Sequence, residues 1–310
     1  MTSGTSALAP TGEQVSIARG EQRAVVVEVG GGLRSYSVDG RELLDGFALD
    51  EQPASGRGQL LVPWPNRIAD GSYTFDGRRH QLPLTEPESS NAIHGLVRWS
   101  AWSVGERGAD RVVLKHVLYP QPGYPFTLGL SVEYALSDGG LSARTTARNL
   151  GAQACPYGCG QHPYLALGSG PVDGLELRVP CASVLTSDER GLPTGSRPVT
   201  ETEFDFLAGR RIGDTKLDNA FTDLERGEDG RAEVRLGDPG SGDALTMWVD
   251  ESYGYLMVFS GDTRPDVNRR SLAVEPMTCP PNAFRTGESV IRLEPGDETT
   301  SAWGLTLDRG

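Results

Sequence analysis

Histidine and cysteine are scarce in this chain, with four of each among 310 residues. Cys155, Cys159, Cys181 and Cys279 suggest no disulfide framework and read as free thiols. Cys155, Cys159 and His162 form a Cys-x3-Cys-x2-His run, but no second tight pair completes a zinc set, so no metal is expected. Basic residues are also short. Only 29 Lys and Arg stand against 42 Asp and Glu, a formal charge of −13. A surface that acidic repels phosphate backbones and anionic lipid, which argues against nucleic-acid and membrane partners. No apolar run approaches the length of a membrane span. The opening MTSGTSALAP has neither a basic n-region nor a continuous apolar h-region, so a cytoplasmic protein is expected. P-loop, dinucleotide fingerprint and Gly-x-Ser-x-Gly elbow are all missing, and no cofactor is expected.

What the chain does have is glycine, proline and alternation. Gly and Pro together, 40 and 21 residues, suit many short strands joined by turns. The segment LGLSVEYALSDGGLSARTTARNLG reads as a hairpin about Asp138-Gly139-Gly140. In DRVVLKHVLY, period two puts Val112, Leu114, His116 and Leu118 on one face. RAEVRLGDPGSGDALTMWVDESYGYLMVFSG supplies two or three further strands, and TSAWGLTLD a last one. Helical periodicity is nearly absent; TETEFDFLAG offers one turn or two. These signals predict an all-β chain with very little helix, a large antiparallel sandwich or barrel. Residues 1–12 are expected to be a flexible N-terminus and 13–310 a single domain.

Five stretches depart from plain alternation. In VPWPNRIADG, prolines stiffen the approach to Asn66 and Arg67, and a fixed guanidinium offers forked donors to oxygen ligands. Trp64 lies between those prolines. In NAIHGLVRW, Asn91 and Gly95 suggest turns that project His94. GCGQHPYLAL carries His162 and Tyr164 where a glycine-rich turn gives way to an apolar run. TKLDNAF holds Asp218, which alone reads equally as an Asx turn. In LAVEPMTCPPNAF, Glu275 is expected at the end of an apolar strand, where lost hydration raises its basicity. Two histidines, two carboxylates and an arginine suit a polyhydroxylated ligand and two proton movements, with a histidine near its ordinary pKa donating and a glutamate accepting. That pairing predicts a bell-shaped dependence of rate on pH.

The ordered set Asn66-Arg67-Ile68, Ile93-His94-Gly95, His162-Pro163-Tyr164, Leu217-Asp218 and Val274-Glu275-Pro276 resembles the aldose 1-epimerase (galactose mutarotase-like) family. The turn GSYTFDGRRHQL is similar to a hairpin of that family, and the resemblance runs from about residue 20 to residue 305. It implies a β-supersandwich with an open cleft. It further implies Glu275 as the base that deprotonates the anomeric hydroxyl and His162 as the acid that protonates the ring oxygen. His94, Asp218 and Arg67 would hold sugar hydroxyls, with Asn66 beside them. Trp64 and Tyr164 are expected to stack on an apolar sugar face. The loop after Glu275 resembles a bacterial subgroup of such proteins, which leaves the sugar open. The partner expected is a small-molecule sugar, and the protein a monomer or homodimer. The leading expectation is a mutarotase for an aldohexose. The alternatives are an epimerase for a hexose 6-phosphate or other anionic sugar, served by some of Arg98, Arg264, Arg269, Arg270 and Arg285, or a sugar-binding protein without catalysis.

Overall fold

The computed structural model describes residues 8–168 and 170–310. Expected flexible residues 1–7 lie outside this range. Residues 8–12 approach the first sheet through a turn, in which Thr11 is buried and its carbonyl accepts the Val29 N–H at 3.0 Å.

Antiparallel strands make up nearly all of the regular structure. A nine-stranded sheet runs in the order 103–107, 111–118, 128–137, 140–149, 298–308, 244–249, 232–237, 176–178 and 210–211. Its centre is the hairpin Leu128–Ser137 with Gly140–Asn149, paired without a register break from Leu128↔Asn149 to Ser137↔Gly140. Strict alternation explains that regularity. Leu128, Leu130, Val132, Tyr134 and Leu136 all face inward, and a one-residue slip would turn them all to solvent.

An eight-stranded sheet has the order 193–198, 181–187, 218–224, 255–259, 272–277, 160–161 and 60–61, with 164–165 also pairing 272–277. Phe221, Leu256, Val258, Leu272 and Val274 from this sheet join Leu130, Val132, Tyr134, Met247, Trp303 and Leu305 from the other in one buried cluster. The two sheets therefore share a core, as in a sandwich. A smaller sheet of residues 14–19, 22–27, 33–38 and 41–42 lays its first strand against 111–118 and 128–137 of the nine-stranded sheet.

Polar bonds cross that core at Gln161. Its amide donates to the Tyr134 hydroxyl at 2.8 Å, and its carbonyl oxygen accepts the Trp303 indole N–H at 3.0 Å.

Two local expectations are corrected. TETEFDFLAG forms turns rather than helix. The Thr202 hydroxyl bonds the Val199 carbonyl and accepts the Phe204 N–H, while Asp205 accepts the Leu207 N–H, so side chains take the bonds a helix needs. Glu275 is not at a strand end: the strand runs Leu272–Met277 and includes Pro276. Val274 donates its N–H toward Pro163, so the missing Pro276 N–H falls on the same side, where the neighbour is broken into 160–161 and 164–165. The single α-helix among the described residues is Ala283–Thr286, and no helix there is long and apolar enough to cross a membrane.

Candidate active site

Sheet register brings the candidate residues together. Gly160 pairs with Met277 and Tyr164 with Ala273, which sets His162 opposite Glu275. On the other flank Met257 pairs with Glu275 and Ala220 with Met257, while Asp218 pairs with Phe259. Because side chains alternate, one face carries Asp218, Met257, Phe259, Glu275, His162 and Tyr164. The opposite face carries the core residues named above. That first face floors a cleft of about 350 Å³, whose walls include Asn66, Arg67, Glu86, His94, Arg98, Trp99 and Arg264.

At its centre, His162 Nε2 lies 3.2 Å from Glu275 Oε1. Both side chains are buried, at 7% and 3% exposure, and neither His162 Nδ1 nor Glu275 Oε2 has another partner. Burial pushes the histidine pKa down and the glutamate pKa well up. The cause is the same for both: each charged form would lose its water. The neighbouring Arg98 lowers the histidine further, and Asp218 raises the glutamate. The expectation of a histidine near its ordinary pKa is corrected accordingly.

His162 is clamped on several sides. Its backbone exchanges bonds with the 56–59 loop, accepting the Gly58 N–H at 2.9 Å and donating to the Gln59 carbonyl at 3.1 Å. The Tyr164 ring stacks on it at 4.9 Å and an interplanar angle of 14°, and the Tyr164 hydroxyl is spent on the Ser55 carbonyl. Tyr164 thus orients the histidine, and at 1% exposure it has no open face for a sugar, so the stacking expected of it is corrected.

His94 follows the strand Asn91–Ile93, which pairs with Arg67–Ala69. Its φ of 62° turns the ring toward the cleft, where its edge meets His162 at 5.5 Å. His94 Nδ1 accepts the Asn66 backbone N–H at 3.2 Å. That bond requires a lone pair on Nδ1, so the neutral ring carries its proton on Nε2 and is a fixed donor. Burial, with Arg98 beside it, keeps the ring neutral. Asn66 spends its side-chain oxygen on the Arg67 N–H at 2.9 Å.

Arg67 lines the cleft, but Glu86 holds its fork: Nε to Oε2 at 2.8 Å and Nη2 to Oε1 at 3.0 Å. Only Nη1 is left outside that pair. Burial would raise the Glu86 carboxyl; Arg67 and the Asn91 amide overcome it and hold it below its usual range. Asp218 keeps much of its surface open to the cleft, yet the walls withdraw enough water to raise its pKa against the pull of Arg67.

Trp64 is a correction. It is 2% exposed and packs on Phe284 at 5.7 Å in the core, so it has no face to offer a sugar. The residue type that stacking requires is present instead at Trp99, 54% exposed at the cleft wall, and at Phe259. Glu86 and Trp99 had no motif to mark them.

Among the described residues, one set of three potential metal ligands converges, His94, His162 and Glu275, with donor atoms within 4.8 Å of one another. It does not include the thiols of the Cys-x3-Cys-x2-His run. Those are buried, and burial pushes Cys155 up to about 12 and Cys159 to about 11, leaving them protonated at neutral pH. For His94 to ligate, it would have to give up either its bond to Asn66 or its Nε2 proton. The set as it stands is two imidazoles whose charged forms burial disfavours, beside a carboxyl that burial holds toward its protonated form.

Comparison with known proteins bears on the family and the fold. The family model for aldose 1-epimerase matches residues 13–306. The chain is 37% identical over 287 residues to the uncharacterized protein YihR of Escherichia coli, covering 92% of this chain and 90% of YihR. It is 27% identical over 343 residues to the aldose 1-epimerase of the same organism, covering 97% of each. In fold it is similar to an aldose epimerase homologue from C. elegans, with a TM-score of 0.86 at 20% identity over 96% of this chain and 99% of the other. A galactose mutarotase-like protein from Clostridium acetobutylicum superposes with a TM-score of 0.84 at 19% identity, over 96% and 95%.

Proposed function

The chain belongs to the aldose 1-epimerase family of isomerases, and from that premise we propose that it interconverts the α and β anomers of an aldohexose by acid–base catalysis at Glu275 and His162. The observation that carries the reading is the buried contact of 3.2 Å between these two side chains on the floor of a sugar-sized cleft. The pair shares one proton. When a pyranose enters, its anomeric hydroxyl and ring oxygen replace the pair's contact with each other. In the reacting form the shared proton has passed to His162 and Glu275 is a carboxylate: Glu275 takes the proton from O1, and His162 delivers its own to the ring oxygen as the C1–O5 bond breaks. The open form carries an aldehyde at C1. Rotation about C1–C2 presents its other face, and closure returns each proton by the reverse path. No atom is gained or lost. His94 Nε2–H, Asp218 and the Arg67 Nη1 edge hold hydroxyls meanwhile. Polarimetry on freshly dissolved α-glucose and α-galactose tests this: an acceleration over the spontaneous drift is expected, and none across a panel of aldoses would overturn it.

The pKa directions fix the shape of the pH profile. Uptake of a second proton charges a buried pair, so the acid limb lies below the ordinary imidazole value of about 6.5. Loss of the shared proton leaves a buried anion, so the alkaline limb lies above the ordinary carboxylate value of about 4.3. A plateau between those limbs is expected in kcat/KM. An acid limb at the ordinary histidine value would show that His162 titrates in contact with water and would exclude the pair as described.

Arg67→Ala is expected to act mainly on KM, raising it about tenfold or more, since it removes hydrogen bonds from a charged donor. It also strands Glu86, so urea denaturation is measured alongside. A fall in kcat with KM unchanged would place Arg67 in the chemical step instead.

A further inference from the structure

We propose that the preferred sugar carries an oxyanion on its exocyclic carbon, and that Arg98 receives it. This rests on the mutarotase reading above.

Five arginines near the site motifs are potential anion ligands, and the structure separates them. Arg269 is bound to Asp173 at 3.0 Å and Asp262 at 3.1 Å. Arg270 is bound to Asp45 at 2.7 Å, and Arg285 to Asp70 at 2.9 Å. These three are neutralised. Arg98 and Arg264 both line the cleft, and neither has a carboxylate partner among the described residues. Of the cleft's own carboxylates, Glu86 is taken by Arg67 and Glu275 faces His162, while Glu88 and Asp218 form no ion pair with either arginine, although the charge of Arg264 acts on Asp218.

Arg98 is the more telling of the two. It is half-buried, and among the described residues the only hydrogen bonds of its guanidinium, to the Gln59 side chain and the Ile93 carbonyl, are each 3.4 Å, beyond the usual N–H···O range. A cation withdrawn from water without a counter-ion is costly unless something arrives to pair with it. The planar fork of a guanidinium matches phosphate, sulfonate and carboxylate oxygens alike.

Its place fits one end of the sugar. In a pyranose the ring oxygen joins C1 to C5, and C5 bears the exocyclic carbon. With Glu275 at O1 and His162 at the ring oxygen, that carbon extends past the histidine, away from the glutamate. Arg98 stands at the histidine end: its guanidinium reaches toward the Ile93 carbonyl beside His94 and toward the side chain of Gln59, whose backbone carbonyl accepts the His162 N–H. Arg264, exposed at the rim, adds a second positive charge along the approach.

Saturation-transfer NMR measures anomer exchange for glucose, galactose, glucose 6-phosphate, the 6-sulfonate of 6-deoxyglucose, and glucuronate. For at least one of the three anions, kcat/KM is expected to exceed that for glucose and galactose by about 10- to 100-fold, the range for bonds to a charged partner. The three anionic arms distinguish the oxyanion. Arg98→Gln is expected to shrink the anion-to-neutral ratio about tenfold or more, and Arg98→Lys to keep part of it. The wild-type ratio decides the substrate class even if neither variant folds. Neutral sugars exchanged as well as every anion would overturn this inference while leaving the mutarotase reading standing. An unchanged ratio in Arg98→Gln would overturn the assignment to Arg98. No exchange of any sugar would overturn both readings.

Discussion

Glu275→Gln is expected to slow anomer exchange by about 100- to 10,000-fold, the usual contribution of a positioned acid–base group. The substitution keeps shape and most hydrogen bonding but removes the proton acceptor, so KM should move little while kcat falls. The environment makes the loss hard to offset. Glu275 is 3% exposed, and water has no ready path to replace it as base. His162→Asn should cost about as much. The double variant should be little worse than either single one, because the two side chains share one proton and act as a unit. Initial rates by polarimetry, with near-UV circular dichroism as a check on folding, decide the matter. A loss of less than tenfold in Glu275→Gln would remove Glu275 from the role of base.

Gly95→Ala is expected to destabilise the fold by about 3 kcal/mol or more, from left-handed strain and overpacking together. Gly95 has a φ of +71°, and a Cβ there would stand 2.1 Å from the Val62 carbonyl oxygen and 2.4 Å from its carbon. Both are backbone atoms and cannot swing aside. The same carbonyl accepts the Leu96 N–H at 2.8 Å, so relieving the clash also breaks that bond. Gly254→Ala is the control: it has open space around it and should change stability by less than about 0.5 kcal/mol. Urea midpoints for the two variants test the contrast, and equal midpoints would show that the loop after His94 yields freely. The glycine of the Ile93-His94-Gly95 motif is thus required by the backbone that aims His94.

The sequence made some of this legible and hid the rest for identifiable reasons. Alternation from Leu128 to Asn149 names the faces of the central hairpin because both strands and their turn are contiguous. Strand order is not legible in the same way. That His162 lies opposite Glu275 depends on pairing between segments more than a hundred residues apart, which no local pattern records. Arg67, His94, Asp218 and Glu275 sit in unusual short contexts and do line one cleft with His162. Trp64 sits in an equally unusual context and is core, since flanking prolines mark a rigid segment without telling which way its side chains point. Glu86 lies in the polar run TEPESSN, where nothing separates a carboxylate that grips an arginine from one in solvent. Burial was the other hidden quantity. The expected histidine of ordinary pKa became a neutral one once the walls around it were known.

Gln161 has a consequence for the cost of binding. Its amide is held by Tyr134 and Trp303, both rooted in the far sheet. The next residue in the chain is the proposed acid. A side chain pinned through the middle of the protein allows its neighbour little room to wander, so the imidazole is ordered before any ligand arrives. The entropy of fixing it was lost during folding and does not have to be lost again at each encounter. Contacts made to the remote hydroxyls are therefore available for breaking the ring.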